Sequence, residues 1–185
     1  MNTNLISTLW PQSRTQVLNK AILIVFGIAL LTISAKVQVP FWPVPMTLQT
    51  LAVLLIGATY GGRLAGSTVV GYLAVGAVGL PVFASGAGLA YMMGPTGGYL
   101  AGFLLAAVTL GYLADKGYGR TIISALALFV IGEVAIFALG TGWLAALIGT
   151  EKAIAGGLLP FIPGEALKVA LATAILTLGW KQSQR

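Results

Sequence analysis

The chain has 185 residues, of which 58% are hydrophobic and only 8% are charged, and its net charge is +6. A soluble domain is about 45–50% apolar and about 25% charged, so this composition excludes a soluble enzyme, a secreted disulfide scaffold and a disordered chain. Because the sequence has no Cys and no His, it also lacks the usual residues for thiolate chemistry, for zinc and haem sites and for a Ser-His-Asp triad. The basic residues are scattered between apolar segments, a pattern that indicates the lipid bilayer as a partner and no nucleic acid.

Six apolar segments approach the length of about 20 residues that a membrane-spanning helix needs. We therefore predict an all-α integral membrane protein, with one membrane domain over residues 1–185 and a six-transmembrane-helix bundle over about 18–180. The first segment is too long for the apolar region of a signal peptide, and residues 1–17 are predicted to lie at the membrane surface. The predicted helices are, in chain order, Leu18–Ala35, Thr47–Tyr60 (short for a span), Gly62–Gly79, Thr96–Ala114, Arg120–Gly140 and Gly164–Trp180.

The positions of the basic residues predict the orientation of the chain. If the N-terminus is cytoplasmic, the outer segments hold only Lys36 and Lys152, and Lys168 lies within the last span. Cytoplasmic segments of membrane proteins carry an excess of Lys and Arg, so we predict a multi-pass membrane protein with both termini in the cytoplasm. The basic residues of the inner segments are Arg14, Lys20, Arg63, Lys116, Arg120, Lys181 and Arg185.

Three outer connections are rich in proline and glycine and yet largely apolar: Val37–Pro45, Leu80–Pro95 and about Thr141–Pro163. Apolar, non-helical backbone at the membrane edge is tolerated where it packs on protein or lines a cavity. We therefore expect these loops to cap a ligand pocket at the outer face. Their aromatic residues belong either to an interfacial belt or to the wall of that pocket; they are Phe41, Trp42, Phe83, Tyr91, Trp143 and Phe161.

Glu165 and Lys168 are the strongest candidates for a binding function. They share one helical face at i and i+3, and Pro163 just before them is typical of a helix start, where free N–H groups favour an anion. Ionisable residues within a span are costly and usually functional. The residues themselves leave open a purely structural ion pair, and a lysine that reaches the interface. For Glu133, midway along the fifth segment, ligand binding, proton transfer and a helix–helix hydrogen bond all stay open.

Three segments resemble, in the same order, motifs of the BioY family, the biotin-specific S components of energy-coupling factor (ECF) transporters. They are Val39–Gly57, then Gly79–Gly88 with Gly94–Phe103, and finally Leu158–Lys168. The resemblance covers about residues 18–180. It implies a substrate-binding subunit of a bacterial plasma membrane and no enzyme, with biotin as transported ligand and no cofactor. The partners that it implies are a transmembrane T component and two ABC-type ATPases, although some members of the family act without a dedicated set. The sequence leaves both a monomer and a homo-oligomer open.

The resemblance also implies which residues hold the ligand. Glu165, at a position where the family usually has Asp, is expected to accept a hydrogen bond from the ureido ring of biotin, and Lys168 to donate one to an acceptor oxygen. An S component for another vitamin is the alternative function. A membrane enzyme is a more distant one, because it would need His, Cys or paired acids in the spans. The other residues expected to bind the ligand are Trp42, Gln49, Phe83, Ser85, Gly86, Tyr91 and Tyr99.

Overall fold

The computed structural model describes residues 4–11 and 16–183, and most of these residues are helical. A two-residue antiparallel hairpin between the second and third helices pairs Gln38 with Thr47. A 3-10 turn over Leu159–Phe161 precedes the last helix. The elements are, in chain order, α1 (Leu5–Leu9), α2 (Val17–Lys36), β1 (Gln38–Val39), β2 (Met46–Thr47), α3 (Gln49–Tyr60), α4 (Gly62–Ala77), α5 (Gly88–Met92), α6 (Gly97–Asp115), α7 (Ile122–Ile148), α8 (Thr150–Gly157) and α9 (Ile162–Ser183).

The chain is a multi-pass membrane protein. Four of its helical stretches are long and apolar enough to cross a bilayer, namely α2, α6, α7 and the stretch Thr150–Ser183 that ends with α9. The other two predicted segments also fold as helices, but α3 has 12 residues and α4 has 16. At about 1.5 Å per residue, α3 is about 18 Å long, well below the hydrocarbon thickness of about 30 Å.

The break between α3 and α4 lies at Gly61, whose φ of +83° is one that residues with a side chain rarely adopt. The Asp115 carboxylate, at the end of α6, occupies the space beside this glycine. It accepts hydrogen bonds from the Gly62 backbone N–H at 3.0 Å and from Asn4 Nδ2 at 2.9 Å. A carboxylate at this position satisfies a free N–H of the first turn of α4, and it ties three parts of the chain together.

The short helix α1 is docked against the end of the bundle. Asn4 caps it by accepting a hydrogen bond from the Ser7 N–H at 3.0 Å. Leu5 is buried and packs in one apolar cluster with Leu54 of α3 and Trp180 of α9. The surface position predicted for residues 1–17 falls partly on residues 1–3 and 12–15, which lie outside the described residues.

The prediction of a non-helical third outer loop over Thr141–Pro163 is wrong. Helix α7 continues to Ile148, and α8 and the 3-10 turn fill most of the remainder. Gly140 does not end α7, because it is the point where α7 packs directly on the ring of Tyr99 in α6. Small residues allow such close approach of membrane helices, and a helix also satisfies its own backbone in an apolar setting.

The other two outer loops depart from the prediction in smaller ways. The first contains the β1–β2 hairpin, and the second contains one helical turn, α5. The second loop is fastened to the bundle by two side chains. The Lys36 ammonium group at the end of α2 donates to the Phe83 carbonyl oxygen, and Trp143 Nε1 of α7 donates to the Gly94 carbonyl oxygen at 2.9 Å.

Candidate functional site

Glu165 and Lys168 form a buried ion pair on the first two turns of α9. Lys168 Nζ lies 2.8 Å from Glu165 Oε1. Glu165 is only 6% exposed and Lys168 only 7%. Lys168 Nζ also donates to Thr50 Oγ1 at 2.9 Å and to the Thr47 carbonyl oxygen at 2.6 Å. These three bonds use all three donors of the ammonium group.

Thr50 closes a ring of hydrogen bonds around the pair. Its hydroxyl accepts from Lys168 and donates to Glu165 Oε2 at 2.7 Å. Each carboxylate oxygen therefore accepts one bond within the network, and each retains a second lone pair. A buried ion pair is tolerated only when its geometry is good and its remaining polar atoms are satisfied, and this ring meets that condition for the lysine.

The junction between β2 and α3 delivers both threonines to α9. Thr47 Oγ1 accepts a hydrogen bond from the Gln49 N–H at 3.2 Å, and the Leu48 N–H donates to the Val37 carbonyl oxygen at 3.0 Å. The hairpin and the first turn of α3 thus hold the Thr47 carbonyl and the Thr50 hydroxyl at a fixed distance from each other.

Glu165 lines a small cavity of about 40 Å³ among α3, α6, α7, α9 and the first two outer loops. Polar groups are contributed by Thr47, Gln49, Thr50, Thr96 and Glu165. The rest of the lining is apolar or aromatic, from Val44, Pro45, Phe83, Ala84, Tyr91, Tyr99, Leu100, Phe103, Phe137 and Phe161.

Phe83 and Tyr91 form one aromatic wall of the cavity. Their rings are stacked with centroids 5.1 Å apart, and Phe83 also meets Tyr72 edge-on at 5.4 Å. Phe83 is fully buried, in a space that a side chain at Gly76 would fill. The Tyr72 hydroxyl accepts from Gln49 Nε2 at 2.7 Å and donates to the Val82 carbonyl oxygen at 3.1 Å, so it orients the Gln49 amide.

The opposite aromatic wall comes from α6, α7 and the 3-10 turn. Tyr99 meets Phe137 edge-on at 5.7 Å and stacks on Phe161 at 6.5 Å. The Tyr99 hydroxyl donates to the Gly157 carbonyl oxygen at 2.6 Å. Its ring, rather than its hydroxyl, is therefore the part that a ligand would meet.

The structure brings five of the nine predicted site residues together on the wall of this cavity: Gln49, Phe83, Tyr91, Tyr99 and Glu165. Lys168 lies behind Glu165 and is not itself on the cavity wall. The other predicted residues lie further out.

Ser85 lines a second cavity, between the first two outer loops, which shares Tyr91 with the first. Gly86 lies against the Tyr91 ring, where a Cβ would collide with it. Trp42 is 80% exposed and does not line either of these two cavities. The structure therefore does not bring Trp42 to the site.

Sequence reasoning missed Thr50 and Tyr72. Both are hydroxyl side chains inside apolar segments, which is a signal in a chain this poor in polar residues. Their partners lie 115 and 23 residues away along the chain, so nothing local links them to Glu165 or Gln49.

Glu133 lies beside the site, in a cleft between α7 and α9 that it shares with Phe137 and Glu165. Both of its carboxyl oxygens are buried, and neither has a hydrogen-bond partner in the described part of the chain. The helix–helix hydrogen bond considered from the sequence is therefore not formed among those residues.

A helical membrane protein with a small, aromatic-walled cavity and a buried ion pair at one end of the bundle is the kind of protein that binds a small organic molecule at the membrane face. Among the described residues, no group of His, Asp or Glu is arranged to hold a metal ion. The chain belongs to the BioY family, whose model matches residues 4–185. The resemblance found in the sequence is thereby confirmed.

Relatives of known type support the same assignment. A biotin transporter BioY of Thermotoga maritima is 40% identical over 149 residues, which are 80% of this chain and 87% of the relative. A probable biotin transporter BioY of Pyrococcus horikoshii is 37% identical over 154 residues, or 83% and 91% of the two chains. The family consists of transporters, so this chain is a transporter and not an enzyme.

The fold also matches a solved structure. The crystal structure of the S component for biotin from an ECF-type ABC transporter superposes with a TM-score of 0.78, over 91% of this chain and 92% of that one. The sequence identity is 24%, so the match concerns the fold.

Proposed function

We propose that this chain is the biotin-binding S component of an ECF-type transporter, which captures biotin at the outer face of the plasma membrane and delivers it inward. The observation that carries the proposal is the position of Glu165, a buried carboxylate on the wall of an otherwise mostly aromatic and aliphatic cavity. The transporters of biotin among its relatives support the choice of ligand.

Biotin has the chemistry that this cavity requires. Its ureido ring has two N–H donors, its thiophane ring and valeryl chain are apolar, and its tail is a carboxylate. We place the ureido N–H groups against the free lone pairs of Glu165 and the apolar rings between the walls formed by Phe83 with Tyr91 and by Tyr99 with Phe161. Aromatic faces bury large apolar area with defined geometry, which suits a rigid bicyclic ligand.

Lys168 has a different role from Glu165 in this arrangement. All three of its donors are used by protein acceptors, so it contacts an acceptor oxygen of biotin only by exchanging one of these bonds. Its main contribution is to provide a counter-charge for Glu165 and to hold it in place in a buried setting, where an isolated carboxylate would be very costly.

We further propose that all six long helices cross the membrane, with both termini in the cytoplasm. The ends of α1, α3, α6 and α9 meet at one end of the bundle through contacts of Asp115 and Leu5. Arg120 lies over the Trp180 ring at that same end, 4.9 Å from its centroid. Of the basic residues counted as cytoplasmic, Lys20, Arg63 and Arg120 lie there, whereas Lys36 bonds to Phe83 on the wall of the cavity.

ATP-driven transport by this protein requires other chains, because this one has no Walker-type phosphate-binding motif. We propose a transmembrane T component and two ABC-type ATPases as partners. Relatives that act as biotin transporters and the ECF-type solved neighbour support this context.

The proposal is tested by titrating the purified chain in detergent with biotin, and in parallel with thiamine and riboflavin. We expect saturable, 1:1 binding of biotin and none of the other two at the same concentrations. Binding of another vitamin instead of biotin would establish the alternative function, an S component of different specificity.

A further inference from the structure

A further cavity, separate from the two between the outer loops, lies at the end of the bundle opposite the biotin site. Four parts of the chain line it: helix α1, the first turns of α2, the junction between α3 and α4, and the end of α6. Its polar and charged lining includes Lys20, Arg63, Asn4, Ser7, Ser67 and Asp115. The proposed transport function uses none of these residues.

Two cationic side chains face this cavity without a carboxylate of their own. Lys20 and Arg63 are both exposed. Neither forms an ion pair with a described residue, since the ion pair among the described residues joins Lys168 and Glu165 at the other end of the bundle. Asp115 is the acid in the cavity lining, and it is occupied by Asn4 Nδ2 and by the Gly62 N–H. The two cations are therefore available to an anion from outside the chain.

The remaining wall of the cavity is apolar. Ile6, Ile24 and Leu64 line it beside the polar groups, and the next residue of α2 after Ile24, Val25, is 67% exposed. A ligand that fits this arrangement has an anionic head and apolar chains that continue along α2. A free anion would leave the apolar wall uncovered.

We infer that this cavity binds the headgroup phosphate of an anionic phospholipid, held between Lys20 and Arg63 with its acyl chains along α2. Basic pockets between membrane helices are a recognised way of binding such headgroups. The inference does not depend on biotin as the transported ligand, because the two sites lie at opposite ends of the bundle and have no lining residue in common.

The test measures lipid binding to the purified chain in a neutral detergent by native mass spectrometry and by the shift in thermal unfolding temperature. The probes are phosphatidylglycerol, zwitterionic phosphatidylcholine and water-soluble glycerol phosphate. The test variant is Lys20→Gln/Arg63→Gln. The control is Lys116→Gln/Lys181→Gln, which removes the same charge from exposed positions outside the cavity.

We expect phosphatidylglycerol to bind more tightly than phosphatidylcholine, and the test variant to weaken this binding by at least tenfold, since each basic residue near an anionic surface is worth about fivefold in affinity. The control should retain wild-type binding. Equal losses in both variants, or equal binding of the two lipids, would overturn the proposal. Glycerol phosphate that binds as tightly as the lipid would also overturn it, in favour of a free organic phosphate. Size-exclusion chromatography and circular dichroism in the helical region are used to check that both variants are folded.

Discussion

Thr50 is the residue that couples the two members of the buried ion pair. Its hydroxyl accepts from Lys168 and donates to Glu165, so the direction of both bonds is fixed by the charges on either side. A threonine at this position leaves the second lone pair of each Glu165 oxygen for a ligand. A hydroxyl group that was free to rotate would donate to that second lone pair and so compete with the ligand.

We predict that Thr50→Val weakens biotin binding by roughly ten- to a hundredfold with little change in volume. The loss of a hydrogen bond to a charged group costs about 1.5–3 kcal/mol, and about 1.4 kcal/mol corresponds to tenfold in affinity. Calorimetric titration measures the effect. The matched control is Thr59→Val in the same helix, because the Thr59 hydroxyl donates to the Leu55 carbonyl oxygen and not to the ion pair. Unchanged biotin affinity in Thr50→Val would show that the ring of hydrogen bonds does not support binding.

A pair of variants separates the structural role of the ion pair from its binding role. Lys168→Met leaves the Glu165 carboxylate buried without its counter-ion, and we expect the variant to lose about 3–5 kcal/mol of stability as well as biotin binding. Lys168→Met/Glu165→Gln removes both charges, so the thermal unfolding temperature should largely recover while biotin binding stays lost. Recovery of binding together with stability would show that the pair serves only the fold. Glu165→Asp should keep most of the affinity.

Among single residues, the sequence predicted those site residues that are unusual in themselves. An acid and a base three residues apart inside an apolar helix stand out without any tertiary information, and the structure places them in contact. Thr50 and Tyr72 do not stand out in this way. They acquire their roles only when α3 packs against α9 and α4, which no local pattern encodes.

At the scale of elements, α7 shows why a glycine does not by itself end a membrane helix. The sequence predicted an end near Gly140, whereas the helix runs on to Ile148. In water, glycine in a helix costs about 1 kcal/mol relative to alanine. Here that cost is offset by the close contact between α7 and the Tyr99 ring, which also positions one wall of the ligand cavity.

Gly140→Ala should therefore destabilise the protein and also weaken biotin binding. The added methyl group would overlap the Tyr99 ring, and overpacking of this kind costs about 1–3 kcal/mol. Gly142→Ala is the control two residues further along, where an added Cβ meets nothing within 4 Å; we expect it to be neutral or slightly stabilising. Thermal unfolding with and without biotin measures both effects, and equal behaviour of the two variants would contradict the packing argument.

At the scale of the whole molecule, the two ends of the bundle differ in chemistry. One end has the cavity, the aromatic walls and the Lys36 bond to the second loop. The other end gathers Lys20, Arg63, Arg120 and the docked helix α1. Hydropathy located all six long helices because their apolar runs are continuous. It also indicated that the second segment, Thr47–Tyr60, is short for a span. It did not show that the residues just before α3 pair as the strand β2, so that α3 begins at Gln49.

This asymmetry makes the orientation testable with single cysteines, because the chain has none of its own. Tyr118→Cys lies in the connection between α6 and α7 and Trp42→Cys in the first outer loop, at positions where the native side chains are 55% and 80% exposed. In intact cells, a membrane-impermeant maleimide should label Trp42→Cys. It should reach Tyr118→Cys only after the membrane is opened, because an excess of basic residues holds that end in the cytoplasm. Labelling of Tyr118→Cys in intact cells, with protection of Trp42→Cys, would reverse the orientation and place the ligand cavity at the inner face.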